Sequence, residues 1–443
     1  MQVEPEEEEV ETLIIGAGMS GLGFANAWLE QRKDRAGRVL IVEREGEAGG
    51  YCRTVRRKGF VWDYSGHFFH FRHAEIEAWL RARMPADAVL QVKKRCFVRA
   101  CGTEVDFPFQ KNIHQLSPQD FLACLVDLWS AEQQRIFTPV QSGSFKAMLE
   151  DRLGRAICER FLIPYNEKLY ACDLDSLDAD AMGRFFPHTT FDELMRHIRS
   201  PHDASYNANF TYPKGGAVEY VRALLRDLPD DAVSLNESLV SVDLLRKTAT
   251  TTKRKLRYER LVTSVPLPTT LRMCGVSIRP GVFSWNRVLV FNLGFDGKGR
   301  DDAHWVYFAD RALPFYRVGF YDNIHAAEAS SDAGKRMSLY VEVGLPAVGE
   351  VDVDKLRAAV LDGLRKERIV TDQRLIAEHH VLMDPAYVHI TSQSLEEVAR
   401  QRRDLENAGV FSIGRYGGWT YCSIEDNLVE ARVLAERLAR GAR

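Results

Sequence analysis

The hydrophobic pattern divides the chain into segments of different period. A short run at 12–15 reads as a buried strand, a helical stretch follows to about Arg32, and a second run at 39–42 ends in the acid Glu43. Residues 75–84 have the spacing of a short amphipathic helix. The stretches 89–98 and 104–107 read as paired strands. From 117 to about 198, apolar residues recur at intervals of three and four, as in FLACLVDLW and FKAMLEDRLG, which predicts a helical block. FTYPKGGAVEYVRALLRDL then predicts a strand, a turn at Gly215 and Gly216, and a helix from Val218. VSLNESLVSVDLL and YERLVTSVPLP are strand-like. Between 283 and 344, alternating strands dominate, including VLVFNLGF, HWVYFA and MSLYVEVG. Residues 353–366 and 394–406 are expected to be helical, and the chain closes with a strand, a glycine turn and a helix from about Ile424.

The first strand leads into Gly16, Gly18 and Gly21 in the spacing G-x-G-x-x-G. With strand, helix and second strand in order, this is the pattern of a βαβ dinucleotide site. The glycines serve the tight turn, the approach of a pyrophosphate and the packing of helix on strand. Glu43, 22 residues after Gly21, stands where a carboxylate can accept hydrogen bonds from ribose hydroxyls. The run EREGEAGGYCRT, with Gly49, Gly50 and Arg53, is placed to extend along the same pyrophosphate. No second G-x-G-x-x-G follows, which favours one bound FAD over a nicotinamide nucleotide with its own domain. A glycine-rich turn that merely packs a helix on a sheet is the plain alternative.

These elements predict an α/β fold: a Rossmann-like FAD-binding domain with an inserted helical domain and an antiparallel-sheet substrate domain. The expected boundaries are 1–88, 205–275 and 405–443 for the discontinuous FAD-binding domain, 114–204 for the helical domain, and 89–113 with 276–404 for the substrate domain. Nearly equal numbers of basic and acidic residues, 59 and 62, argue against nucleic acid or an acidic membrane as partner. No apolar run is long enough to span a bilayer. The opening MQVEPEEEEVE lacks the features of a signal peptide and reads as a solvated tail. Eight scattered cysteines without a C-x-x-C pair suit reduced thiols, so a cytoplasmic location is expected. A homo-oligomer is left open.

Other residues suggest chemistry. In FVWDYSGHFFHFR and the residue after it, His67, His70 and His73 recur every third position. No cysteine or further carboxylate completes a metal set, so no metal is expected. A stacking or hydrogen-bonding role beside the flavin is the expectation, with packed histidines as the alternative. FLIPYNEKLYA sets Tyr165, Asn166 and Tyr170 beside Pro164, where they either meet a ligand or end a helix. The glycine turn in GRYGGW can present backbone N–H groups to a flavin pyrimidine.

Together these motifs resemble UDP-galactopyranose mutases, the eukaryotic type above all, within the wider amine oxidase and protoporphyrinogen oxidase superfamily. GAGMSG, the later GGYCRT and the terminal GRYGGW carry the superfamily likeness. SGHFFHF resembles the glycine–histidine motif, implying that the Gly66 carbonyl faces flavin N5 and that His67 holds the loop. PFQKNI is similar to the uridine-contacting segment and places Gln110 near the nucleoside. PYNEKLYA resembles the uracil-binding motif, with Tyr165 stacking on the base, Asn166 bonding to it and Tyr170 where the family has tryptophan. WVYFADRALPFYR carries over Tyr307 and Arg317 as diphosphate contacts, GRYGGWTY carries over Arg415 for FAD and Tyr421 for phosphate, and Tyr387 matches a further phosphate-contacting tyrosine.

The resemblance implies a FAD-dependent mutase that interconverts pyranose and furanose forms of a nucleotide sugar through a reduced-flavin N5–sugar adduct. NAD(P)H or another reductant would prime the flavin. Arg317, Tyr307, Tyr387 and Tyr421 would clamp the leaving diphosphate. One departure stands out: Thr211 occupies the position where the family's segment is expected to have a diphosphate-binding arginine. That departure favours a rival reading, a flavin oxidase or desaturase of the amine oxidase or protoporphyrinogen oxidase type. A flavoprotein scaffold without turnover is a third reading.

Overall fold

In the computed structural model, which describes residues 7–32, 37–137, 143–200, 208–324 and 335–441, the first apolar run lies within a strand, Glu8–Ile15. It runs parallel to Val39–Val42 on one side and to Lys255–Thr263 on the other, and Val410–Ser412 adds in parallel beyond. These strands belong to a seven-stranded sheet. Helix Met19–Gln31 covers the sheet and packs on the terminal helix Ile424–Gly441. The contact is close enough that a Cβ on Gly23 would lie 2.8 Å from Leu428. Burial from both faces explains why the strands are near-continuous apolar runs without alternation.

The acidic opening is not a free tail where it is described. Glu7 pairs with Lys255 and Arg257, Glu8 with Arg38 and Arg254, and Glu11 with Arg32 and Arg260. The first strand lies beside a basic strand, Lys255–Thr263, and its carboxylates are used there; residues 1–6 lie outside the described residues.

A second sheet has seven strands in the order Leu375–Met383, Asn286–Phe295, Met337–Pro346, Arg317–Phe320, Trp305–Phe308, Cys96–Ala100 and Thr103–Asp106. It is antiparallel except where Trp305–Phe308 lies parallel to Cys96–Ala100, so the expected antiparallel sheet is in fact mixed. The stretch expected as one strand at 89–98 is two. Val89–Lys93 pairs with Asn209–Pro213 in a separate ribbon, and Cys96–Ala100 forms the expected hairpin with Thr103–Asp106. The chain turns between them where the Lys94 N–H donates to the Ala208 carbonyl at 2.9 Å. For the same reason Asn209–Pro213 does not extend the first sheet.

Helices Pro118–Phe137, Phe145–Leu153, Ile163–Tyr170 and Phe191–Arg199 fill the helical block. The widened π-helical turn Cys158–Leu162 runs directly into Ile163–Tyr170, and Pro164, which has no N–H to donate to the preceding turn, stands at the junction.

Candidate functional site

A cleft of about 590 Å3 follows the first glycine turn. Gly16 has φ +99°, and its N–H donates to the Val42 carbonyl at 2.8 Å. A Cβ on Gly21 would lie 2.0 Å from the Gly16 carbonyl oxygen, so the helix can sit this close only because residue 21 is glycine. Gly18 and Gly50 face each other across the cleft floor, each one's would-be Cβ falling within 3.9 Å of the other's Cα. No side chain caps helix Met19–Gln31 at Gly18, which leaves its first N–H groups for a ligand. Glu43 lines the same cleft. Its carboxylate accepts from the backbone N–H of Ala17 at 2.8 Å and of Glu45 at 3.0 Å, so it also braces the turn.

The basic residues of the cleft differ. Arg53 donates to the Gly50 carbonyl, lies 3.5 Å from Glu45 and stacks over Tyr64. Arg415 is half-buried, with its Nε and Nη2 atoms buried and unpartnered among the described residues, its guanidinium 5.0 Å from the Tyr387 ring centre and 4.8 Å from that of Tyr421. Burial opposes its charge, but the surrounding tyrosines leave its pKa raised overall. A cation with buried, idle donors is costly unless an anion meets it. This orphaned guanidinium, with the glycine cradle and the uncapped helix, fits the phosphates of a dinucleotide.

The loop between Asp63 and Ala74 separates its three histidines. His67 lines the cleft, its N–H donates to the Ser65 carbonyl, and its Nδ1 is buried without a partner. Burial holds its pKa down to about 4, so the ring is neutral near pH 7. The His70 Nδ1–H donates to the Asn209 carbonyl at 3.0 Å, and its ring faces a second cavity. His73 stands at the start of helix Ala74–Arg81, where its side chain makes no capping bond and instead approaches Glu75. Gly66 lines neither cavity. A Cβ there would lie 2.5 Å from the Tyr340 hydroxyl, so the loop passes tightly over that ring. Among the described residues no group of three or more His, Cys, Asp or Glu could hold a metal.

The second cavity, about 210 Å3, abuts the first: Tyr421 and Ser423 face it, while Cys422 and Ile424 face the cleft. It brings together Gln110, Tyr165, Asn166, Tyr307, Arg317, Tyr387 and Tyr421 from both the helical block and the second sheet. Tyr165 stacks on Phe161 at 5.1 Å and meets Tyr307 edge-on; Tyr387 and Tyr421 stack at 5.9 Å. The Asn166 Nδ2 donates to the Leu162 carbonyl at 2.7 Å, while its Oδ1 has no partner among the described residues. Gln110 donates to the Pro187 carbonyl. Tyr170 lines neither cavity; it is buried behind Tyr387, edge-on at 5.9 Å. Thr211 lines neither cavity as well. Its hydroxyl lies 3.1 Å from that of Tyr220, on the strand face opposite Phe210 and Tyr212, so an arginine there would not reach either cavity from that face.

Two charged residues escaped the sequence reading. Glu342 is fully buried and takes a bidentate pair from Arg317, at 2.8 Å from Nε and 2.6 Å from Nη2, while also accepting from the Ser65 hydroxyl. Burial pushes its pKa up, but the guanidinium beside it outweighs that and holds the carboxyl below its usual range. A lone acid in the otherwise apolar strand MSLYVEVG was the available signal. Arg184 lines the second cavity and pairs with Asp426 at 2.5 Å. It follows the PYN segment by a loop, with no periodicity to mark it.

Fold and clefts define a protein with a Rossmann-type dinucleotide site joined to a sheet and helical unit that closes a second cavity. Residues 14–82 match the family of NAD(P)-binding Rossmann-like domains. The structure is similar to that of a reduced UDP-galactopyranose mutase, with a TM-score of 0.86 at 22% identity over 98% of this chain and 94% of that one. It is also similar to a putative protoporphyrinogen oxidase from Exiguobacterium, with a TM-score of 0.74 at 16% identity over 99% and 100%, and to putrescine oxidase bound to putrescine, with a TM-score of 0.68 at 15% identity over 99% and 100%. These likenesses establish the fold. In sequence the chain is 26% identical over 39% of its length to protoporphyrinogen oxidase 2 of Arabidopsis thaliana, and 25% identical over 50% to protoporphyrinogen oxidase of Nicotiana tabacum. The matches span only 34% and 42% of those relatives. Among the described residues no helix is long and apolar enough to cross a membrane.

Proposed function

We propose that the chain is a FAD-dependent enzyme whose second cavity takes a nucleotide sugar and whose reaction interconverts the pyranose and furanose forms. The observation that carries this reading is the convergence of residues far apart in the chain on one cavity that shares a wall with the dinucleotide cleft. Tyr165 and Asn166 line it, the latter with an unpaired amide oxygen able to accept from a base N–H. Arg317, Tyr307, Tyr387 and Tyr421 supply donors for a diphosphate, and Arg184 adds a second guanidinium. Arg415 stands between the two spaces, where it can meet phosphate from either side. The likeness in fold to a reduced UDP-galactopyranose mutase supports the same choice. Reduced FAD would supply the nucleophile or electron source; the protein's part is to hold the leaving group, orient the sugar and exclude water.

One observation favours a second reading. Arg317 is cancelled by Glu342 and Arg184 by Asp426, so these cations of the second cavity already have anionic partners. A cavity with little net charge suits a neutral or cationic substrate, as in a flavin oxidase or desaturase, and the sequence matches to protoporphyrinogen oxidases point the same way.

The purified protein should carry flavin. With reduced but not oxidised FAD it should convert UDP-galactofuranose to the pyranose form. Equal turnover in both redox states, or none with any nucleotide sugar, counts against the mutase, and hydrogen peroxide release with an amine or porphyrinogen supports the second reading.

A further inference from the structure

Helix Ile163–Tyr170 carries Tyr165 and Asn166 to the second cavity, whereas Tyr307 and Arg317 reach it from the strands Trp305–Phe308 and Arg317–Phe320. The two groups come from the helical block and the second sheet, and the C-terminal half of the helix joins them. A Cβ on Gly344 would collide with the Lys168 carbonyl oxygen, so backbone meets backbone there. Asn286 Nδ2 donates to the Leu169 carbonyl, and the His389 Nε2–H donates to the Tyr170 carbonyl at 2.9 Å. The Lys168 side chain reaches further. Its Nζ donates to the Asp310 carbonyl at 2.8 Å and to the Phe315 carbonyl at 2.8 Å, on the connection that joins those two strands. Across the same contact, Tyr165 meets Tyr307 and Tyr316 edge-on at 5.3 and 6.1 Å.

We infer that Lys168 is a positioning residue for the second cavity: it ties the connection 309–316 to helix Ile163–Tyr170 and so sets Tyr307 and Arg317 against Tyr165 and Asn166. The inference rests on reading that cavity as the nucleotide-sugar site. A ligand held by base and diphosphate together engages both groups at once, so its affinity depends on their separation. Lys168 itself lines neither cavity and touches no ligand. The tie is also sensitive to protonation. Burial pulls the Lys168 pKa down to about 7; Asp310 and Glu367 oppose that shift, and Arg311 adds to it. The neighbouring charges are paired, Asp310 with Lys366, Arg311 with Glu167 and Glu367 with Arg99. Burial holds His389 below the usual histidine range, so the helix end does not titrate in the same window. An ammonium makes charge-assisted bonds to both carbonyls, roughly twice as strong as those of a neutral amine. The tie therefore weakens as pH rises through about 7.

The test combines hydrogen–deuterium exchange read by mass spectrometry with titration of UDP-galactose into the flavin-loaded protein. In Lys168→Met, exchange across 309–317 and 163–170 should quicken and UDP-galactose affinity should fall about tenfold, while bound flavin is unchanged. Lys168→Arg keeps a charged donor at every pH and should restore both readouts. Between about pH 6 and about pH 8.5 the wild-type affinity should fall severalfold, whereas that of Lys168→Arg should stay level. Unchanged exchange in Lys168→Met overturns the inference, whatever the cavity binds. So does faster exchange with unchanged affinity, since the contact would then be structural only. Faster exchange in a protein that binds no nucleotide sugar upholds the tie and sinks the reading of the cavity instead.

Discussion

Glu342→Gln tests whether the buried pair organises the second cavity. The carboxylate is fully buried, makes both contacts of a fork to Arg317, and also takes the Ser65 hydroxyl at the start of the glycine–histidine loop. Removing one member of such a pair leaves an uncompensated buried charge, at a cost of about 3–5 kcal/mol. For a chain of this size the unfolding entropy is roughly 0.9 kcal/mol/K, so the melting temperature should fall by about 3–6 °C. The same substitution frees the Arg317 charge toward the cavity. A new charge-assisted hydrogen bond, worth about 1.5–3 kcal/mol, should tighten UDP binding about ten- to hundredfold.

Differential scanning fluorimetry and UDP titration calorimetry read the two effects separately. Because the folded Glu342 pKa lies below its unfolded value, its contribution is complete above the ordinary carboxylate range and is lost as pH falls through the folded value. The gap in melting temperature between wild type and variant should therefore hold steady above about pH 5 and close in acid. The paired variant Arg317→Met with Glu342→Leu should regain most of the stability while losing UDP binding, since a buried ion pair is replaceable by apolar side chains. A Glu342→Gln protein with unchanged melting temperature and unchanged UDP affinity refutes the reasoning.

Three further outcomes follow from the site. Gly21→Ala pushes a methyl group against the Gly16 carbonyl, which is backbone and cannot yield; the purified protein should lack flavin absorbance, and a fully loaded variant would contradict the close packing. Arg415→Met removes a half-buried cation whose buried Nε and Nη2 have no partner among the described residues. Its unliganded melting temperature should not fall, whereas flavin retained after dialysis should drop; the reverse pattern would make Arg415 a structural residue. His67 and His70 are each held down to about 4, burial being the largest cause, so the unfolded chain takes up protons first. Their contribution is full above about pH 6.5 and is lost as pH falls toward 4. His67→Gln should make the melting temperature less steep in that range, and an unchanged slope counts against a buried neutral ring.

What the sequence disclosed is what local spacing determines. The turn at Gly16–Gly21 and the acid at Glu43 are read from a stretch of chain that folds on itself, and the structure puts them on one cleft. Tyr170 and Thr211 show where locality ends. Tyr170 is on the same short helix and shares a face with Asn166 four residues earlier, yet one turn further along it is buried behind Tyr387, a depth that periodicity does not report. Thr211 lies on a strand, where one position of parity decides the face. Phe210 and Tyr212 take one side, and the hydroxyl of Thr211 meets Tyr220 on the other. The missing arginine inferred at Thr211 thus loses its argument, and Arg184, in the short 3-10 turn Gly183–Phe185, occupies the cavity wall instead.

The charge of the second cavity was illegible for a deeper reason. Arg317 and Glu342 stand opposite each other only because strands Arg317–Phe320 and Met337–Pro346 pair in that register. Arg184 and Asp426 are 242 positions apart and meet only when the helical block closes on the terminal helix. Counting cations along the chain suggests a site built for a diphosphate; pairing them with their carboxylates yields one that is close to neutral until a ligand competes. A diphosphate must then either share Arg317 through the donors Glu342 leaves idle or rely on Arg415, the guanidinium with open donors. The discriminating quantity is therefore the salt dependence of UDP binding. Binding through Arg415 and shared donors inside a buried cavity should weaken only slightly as salt rises, because screening is small there. A steep dependence would place the nucleotide on the exposed rim and leave the tyrosine-lined space to a substrate of another kind.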